Sequence, residues 1–228
     1  MYYIGMEITI KIPENLGEIT LGQYQKYLKM QKETEDEIFI AQKMIEIFCD
    51  TRLDHVMKMK WRDVQDITLD LANMFEQDQK MKKQFTLDNV NYGFIPNLDE
   101  ITFGEFVDLD SNLSEWDDMH KAMQVLYRPI DINVRGRYNI KEYDGKIDDS
   151  MKDMPLSIAL GAVFFLLNLG KELSQVMMDY LQRGVLKEHI PLKEGLIKNG
   201  VGIHHFTKQL KGMLQDLKIS QNLGFTKS

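Results

Sequence analysis

The longest apolar run in the chain, residues 156–169, is interrupted only by Ser157, Gly161 and Asn168. A bilayer span needs about 20 apolar residues, so this run is too short to cross a membrane. It reads as a helix buried in a protein core, and the rest of the chain must supply the partners that cover it on all sides. Pro155 stands at its first turn, where a missing N–H costs nothing. Leu173, Val176, Met177, Tyr180 and Leu181 continue a helical period as far as Gly184, a suitable glycine just past a helix end.

The covering elements are visible as further periodic segments. Thr20 with Gln23 three residues on forms a capping-box pattern, with Ile19 and Tyr24 at the staple positions and Tyr24, Tyr27 and Leu28 on one face. Ile38, Ala41, Ile45 and Phe48 predict a helix over 35–49. Trp61, Val64, Thr68, Leu71 and Phe75 predict another over 61–77, and a short helical turn at 53–57 links the two. Trp116, Met119, Met123 and Leu126 predict an amphipathic helix that ends before Pro129, with Ser114 and Asp117 as a cap.

Two places read as strand. Residues 6–12 alternate with period two up to Pro13, and residues 85–87 and 90–92 flank Asp88 and Asn89 as a two-residue hairpin turn, closed by Gly93 and Pro96. The fold class expected is mainly α with a small antiparallel β element, an N-terminal strand plus a hairpin near 84–95, and so α+β by strict count. Residues 17–24 and 99–106 echo each other, each with Thr at the cap and Gln or Glu three residues later. Either a duplicated strand–helix unit or convergent capping accounts for that likeness, and convergent capping is the simpler reading, since both sites need a firmly specified turn into helix. Residues 128–154 show no clear period and read as a long polar loop, a hinge or inter-subunit arm. The organisation expected is one mainly helical domain over 1–184, with a sub-boundary in 128–154, and a C-terminal arm over 185–228.

Charge divides along the same line. The arm holds seven lysines and three acidic residues, a net of +4; the whole chain carries −7, which leaves −11 for residues 1–184. An acidic body with a basic arm calls for an acidic partner, either nucleic acid or the body of another copy. The residues expected to make such contacts are Lys187, Lys193, Lys198, Lys208 and Lys211 in the arm and Arg135 and Arg137 beside Tyr138, where basic and aromatic side chains interleave.

Chemistry is not signalled. No Gly-x-Gly-x-x-Gly loop, Walker loop, Cys-x-x-Cys pair, His-Glu-x-x-His pair or Gly-x-Ser-x-Gly elbow occurs in the chain. His204 and His205 are adjacent, and neighbours on a helix face about 100° apart, too far round to grip one ion from one face. The single cysteine, Cys49, lies in an apolar run and reads as a small buried hydrophobe. Residues 1–7 lack the basic and apolar regions of a signal peptide. Neither an enzyme nor a cofactor is expected.

Five stretches together carry a resemblance: ITLGQYQKYL at 19–28, QKMIEIFC at 42–49, YGFIPNL at 92–98, WDDMH at 116–120 and VLYRPI at 125–130. They resemble a group of virion-module proteins of tailed bacteriophages, closest in style to crAss-like phages with short tails and to related marine phages. The likeness covers about residues 16–182 and carries no active site. It implies a structural or assembly role. The first expectation is a subunit of a ring in the short tail or head–tail connector, made in the host cytoplasm and ending in the virion. Its partners would be its own copies and other tail or portal-region proteins. The rivals are a tail assembly chaperone absent from the finished particle, which would use the chain's 15 methionines as an adaptable surface, and a capsid-packaged protein touching DNA through its arm.

Overall fold

A computed structural model describes residues 9–182. The fold is mainly α with a four-stranded antiparallel sheet, in the order α1 (Leu21–Glu33), α2 (Glu37–Phe48), α3 (Leu53–Val56), α4 (Trp61–Phe75), β1 (Gln84–Leu87), β2 (Val90–Phe94), α5 (Phe103–Asn112), α6 (Met119–Leu126), β3 (Tyr127–Val134), β4 (Arg137–Ile140) and α7 (Leu156–Gln182). Short 3-10 turns precede α5, α6 and α7.

Both predicted capping boxes form. Thr20 and Gln23 open α1, and Thr102 and Glu105 open α5; in each the side chain of one residue accepts from the backbone of the other. The start of α1 is also stitched to the start of α7. Leu21 N–H donates to the Met154 carbonyl, Leu156 N–H to Ile19 and Ser157 N–H to Leu16. The α7 run is buried as its composition demands, with Leu156, Ala159, Ala162 and Val163 fully covered. Backbone packs so closely on it that a Cβ at Gly161 would lie 2.6 Å from the Lys80 carbonyl oxygen.

One hydrophobic core joins the helices to the sheet. At its centre Trp116 meets Tyr24 edge-on at 5.1 Å, and Tyr24 leads on through Phe75 and Phe48 to Tyr27. On the sheet side Phe94 packs edge-on against both Tyr127 and Phe165. Tyr127 buries its ring and satisfies its hydroxyl by donating to the Lys82 carbonyl.

Several sequence expectations need correction. Residues 9–12, the described part of the expected N-terminal strand, lie outside any strand; the sheet is built from β1–β4 alone. The cap expected from Ser114 does not form; the chain turns in with Glu115 at the cap position and no side-chain cap bond. Gly93 does not close the β1–β2 hairpin but sits inside β2, where the Tyr138 ring lies over it and would fall 2.4 Å from an added Cβ. The largest correction concerns 128–154. Its first half is no loop but the β3–β4 hairpin, which completes the sheet in the order β1-β2-β3-β4. Asp131 and Asn133 are exposed, so this strand pair buries only its base and lacks the continuous apolar signature of a core strand. Pro129 ends α6 yet is accepted by β3, where its carbonyl takes the Lys141 N–H.

Candidate interaction surface

The helix α5 is turned inside out. Its inward residues are Glu105 and Leu109. Its outward stripe is Phe103, Phe106 and Val107, spaced three and four so that they share one face. Phe103 is 83% exposed, and Phe106 and Val107 are each 41% exposed.

A polar clamp holds this orientation. Glu105 accepts from the Thr102 N–H at 2.7 Å with one carboxylate oxygen and from Arg128 Nη2 at 2.6 Å with the other. Arg128, at the start of β3, lies 5.9 Å from the centre of the Tyr143 ring. The Tyr143 hydroxyl in turn donates to Asp108 at 2.6 Å, back on α5. Burial and the bond to Asp108 push the Tyr143 phenol well above its ordinary range. Burial alone would raise the Glu105 carboxyl, but the bonds from Thr102 and Arg128 outweigh it and hold the group below the usual carboxylate range. A charge pair is thus covered while two phenyl rings face solvent, the reverse of what transfer energetics favour for an isolated body.

The matching box at α1 shows that the motif does not impose this exposure. There the first helical residue, Leu21, and the staple pair Ile19 and Tyr24 are fully buried. At α5 the equivalent first residue is Phe103 and the equivalent staple aromatic is Phe106, and both lie on the surface. The surroundings of α5 are acidic. Between Asp99 and Asp118 the chain carries eight carboxylates and no basic residue.

The β3–β4 hairpin provides a second projecting feature. Ile132 and Val134 are more than half exposed near its end. Its turn is formed by Arg135 at φ 51° and Gly136 at φ 82°, the left-handed pair that a two-residue hairpin requires. Arg135 in the turn and Arg137 just after it are both exposed at the tip, while the base of the same β3 strand holds α5 through Arg128. The predicted contact residues Lys187, Lys193, Lys198, Lys208 and Lys211 lie outside the described residues, as do His204 and His205.

A buried network sits under α6. The Gln25 amide nitrogen donates to the Trp116 carbonyl at 2.6 Å and approaches His120 Nδ1 at 3.0 Å, which leaves the ring hydrogen on Nε2, facing Asp149 at 3.1 Å. Burial and the nearby Lys152 ammonium hold the His120 imidazole below its ordinary pKa, against the opposing pull of Asp149. The network ties α1, α6 and the turn before α7 into one unit. A cavity of about 460 Å³ beside the end of α2 is lined by Lys11, Glu18, Gln23, Phe48 and Cys49 among others. Burial pushes the Cys49 thiol up to about 11, so little thiolate exists at neutral pH.

Among the described residues no three His, Cys, Asp or Glu side chains gather as a metal site, and no helix is long and apolar enough to cross a membrane. No protein-family model matches the chain, and neither a curated protein nor a solved structure does so.

Proposed function

We propose that this chain is a structural subunit of a tailed-phage virion, acting by docking onto copies of itself in a ring of the short tail or head–tail connector. The observation that carries the reading is the inverted helix α5, in which Glu105 is buried and Phe103 is exposed. Exposed apolar residues scattered singly need no explanation, but a rigidly mounted apolar stripe is the mark of a surface that is covered in use. Covering a phenyl or valyl side chain contributes roughly 1.5–3 kcal/mol, so the stripe supplies a small binding core for a helix-sized partner. The arginine-tipped hairpin and the acidic α5 region give the molecule two surfaces of opposite character. Ring contacts between identical subunits need two such different, complementary patches.

Two measurements test the reading. Sedimentation of the full chain should show association that rises with concentration and is weakened by Phe103→Glu, a change at an exposed site that leaves the fold intact. Mass spectrometry of purified particles of the encoding phage should find the chain at many copies. A chain that self-associates but is missing from the particle is a tail assembly chaperone. A chain that stays monomeric at every concentration overturns the ring reading.

A further inference from the structure

Building on the assembly reading above, we propose that the outer face of α5 receives the segment 204–219 from the C-terminal arm of a neighbouring copy. The chain continues for 46 residues beyond Gln182, the last residue of α7. Within that length Phe206, Leu210, Met213, Leu214 and Leu217 recur at intervals of four, three, one and three, the spacing expected of one face of an amphipathic helix. Lys208, Lys211 and Lys218 accompany them against the single acidic residue Asp216. The receiving surface has the opposite design: Phe103, Phe106 and Val107 are exposed in a stretch of chain, 99–118, that holds eight carboxylates and no basic residue, although Glu105 among them is buried against Arg128. An amphipathic helix laid across an apolar stripe, with its lysines meeting the acidic borders, is a recurring recognition mode. Opposite charges at such a contact set its orientation and speed more than its strength. A copy whose own arm covered its own α5 would leave neither of these two surfaces for a neighbour, so the proposed contact runs between copies.

The test uses the full chain with a benzophenone amino acid in place of Phe103, mixed as isotopically heavy and light copies before irradiation. The expected result is cross-linked peptides joining position 103 to 204–219 in heavy–light pairs. Charge reversal by Lys208→Glu with Lys211→Glu should slow association about tenfold at low salt, with the difference shrinking as salt shortens the screening length. Pairs carrying one label only would mean that the arm folds back on its own body, and would overturn the proposal. Oligomers whose cross-links from position 103 map to other segments would also overturn it while leaving the assembly reading in place. A chain that never associates would remove both.

Discussion

Glu105 Oε1 and Arg128 Nη2 meet at 2.6 Å, so the first turn of α5 and the start of β3 are locked by a single covered ion pair. The other oxygen of Glu105 closes the capping box with Thr102, and one carboxylate therefore both starts the helix and fastens it. Arg128→Met would leave that carboxylate buried without its cation, which costs about 3–5 kcal/mol, whereas the double change with Glu105→Gln should recover part of the loss. Chemical denaturation of the two variants checks this. Equal losses in the single and double variants would mean that Arg128 acts only by packing.

The same carboxylate predicts one acid transition. Its folded pKa is depressed, so its contribution is fully present above the unfolded value of about 4.3 and is lost as pH falls through the folded value. His120 predicts a second, at higher pH. The folded imidazole is also depressed, by burial first and then by Lys152 and Lys121, against Asp149. The unfolded chain then takes up a proton below about pH 6.5 that the folded chain refuses, and stability falls as pH drops through that window. Urea midpoints near pH 7.5 and pH 5.5 should differ for the natural chain and differ less for His120→Gln. An unchanged difference would place the titration elsewhere.

Thr20→Ala and Thr102→Ala should each cost about 1 kcal/mol, because each removes the side-chain acceptor of a helix-start N–H. Thermal melts measure both. The Thr102 variant should in addition weaken self-association, since it loosens the helix that carries Phe103, and the Thr20 variant should not.

Arg135 occupies a left-handed position where asparagine is the residue a hairpin turn favours. Arg135→Asn should therefore raise stability by a few tenths of a kcal/mol. If the arginine is kept for contact with another subunit, the same variant will associate more weakly despite being more stable. A variant that loses stability would mean that the guanidinium supports the turn itself.

The helices and the β1–β2 hairpin were legible because their signals are local. Thr20 with Gln23 and Thr102 with Glu105 each state a helix start within four residues, and Asp88-Asn89 states a turn within two. The β3–β4 hairpin was hidden by its neighbours. Pro129 marks the end of α6 so strongly that the alternation of Ile130, Ile132 and Val134 after it passes for loop, and Arg135 is not a residue that advertises a turn. The outward face of α5 was illegible for a different reason. Its motif is the same as that of α1, and what turns it around is Arg128, 23 residues away in sequence, which draws Glu105 inward. Of the expected contact residues, Arg135 and Arg137 do lie at an exposed hairpin tip, whereas Phe103, Phe106 and Val107 were not singled out as contact residues at all.

The unbroken α7 has a consequence for whatever follows it. Twenty-seven helical residues make a shaft about 40 Å long, and a shaft transmits angle as well as distance. Each residue advances the direction in which the chain leaves by about 100°. Adding a single alanine beside the exposed Lys171 would swing the departing chain about a quarter-turn round the axis while moving it barely at all along it, whereas adding seven would return it almost to its original heading. An insertion in this helix therefore changes heading far more than reach.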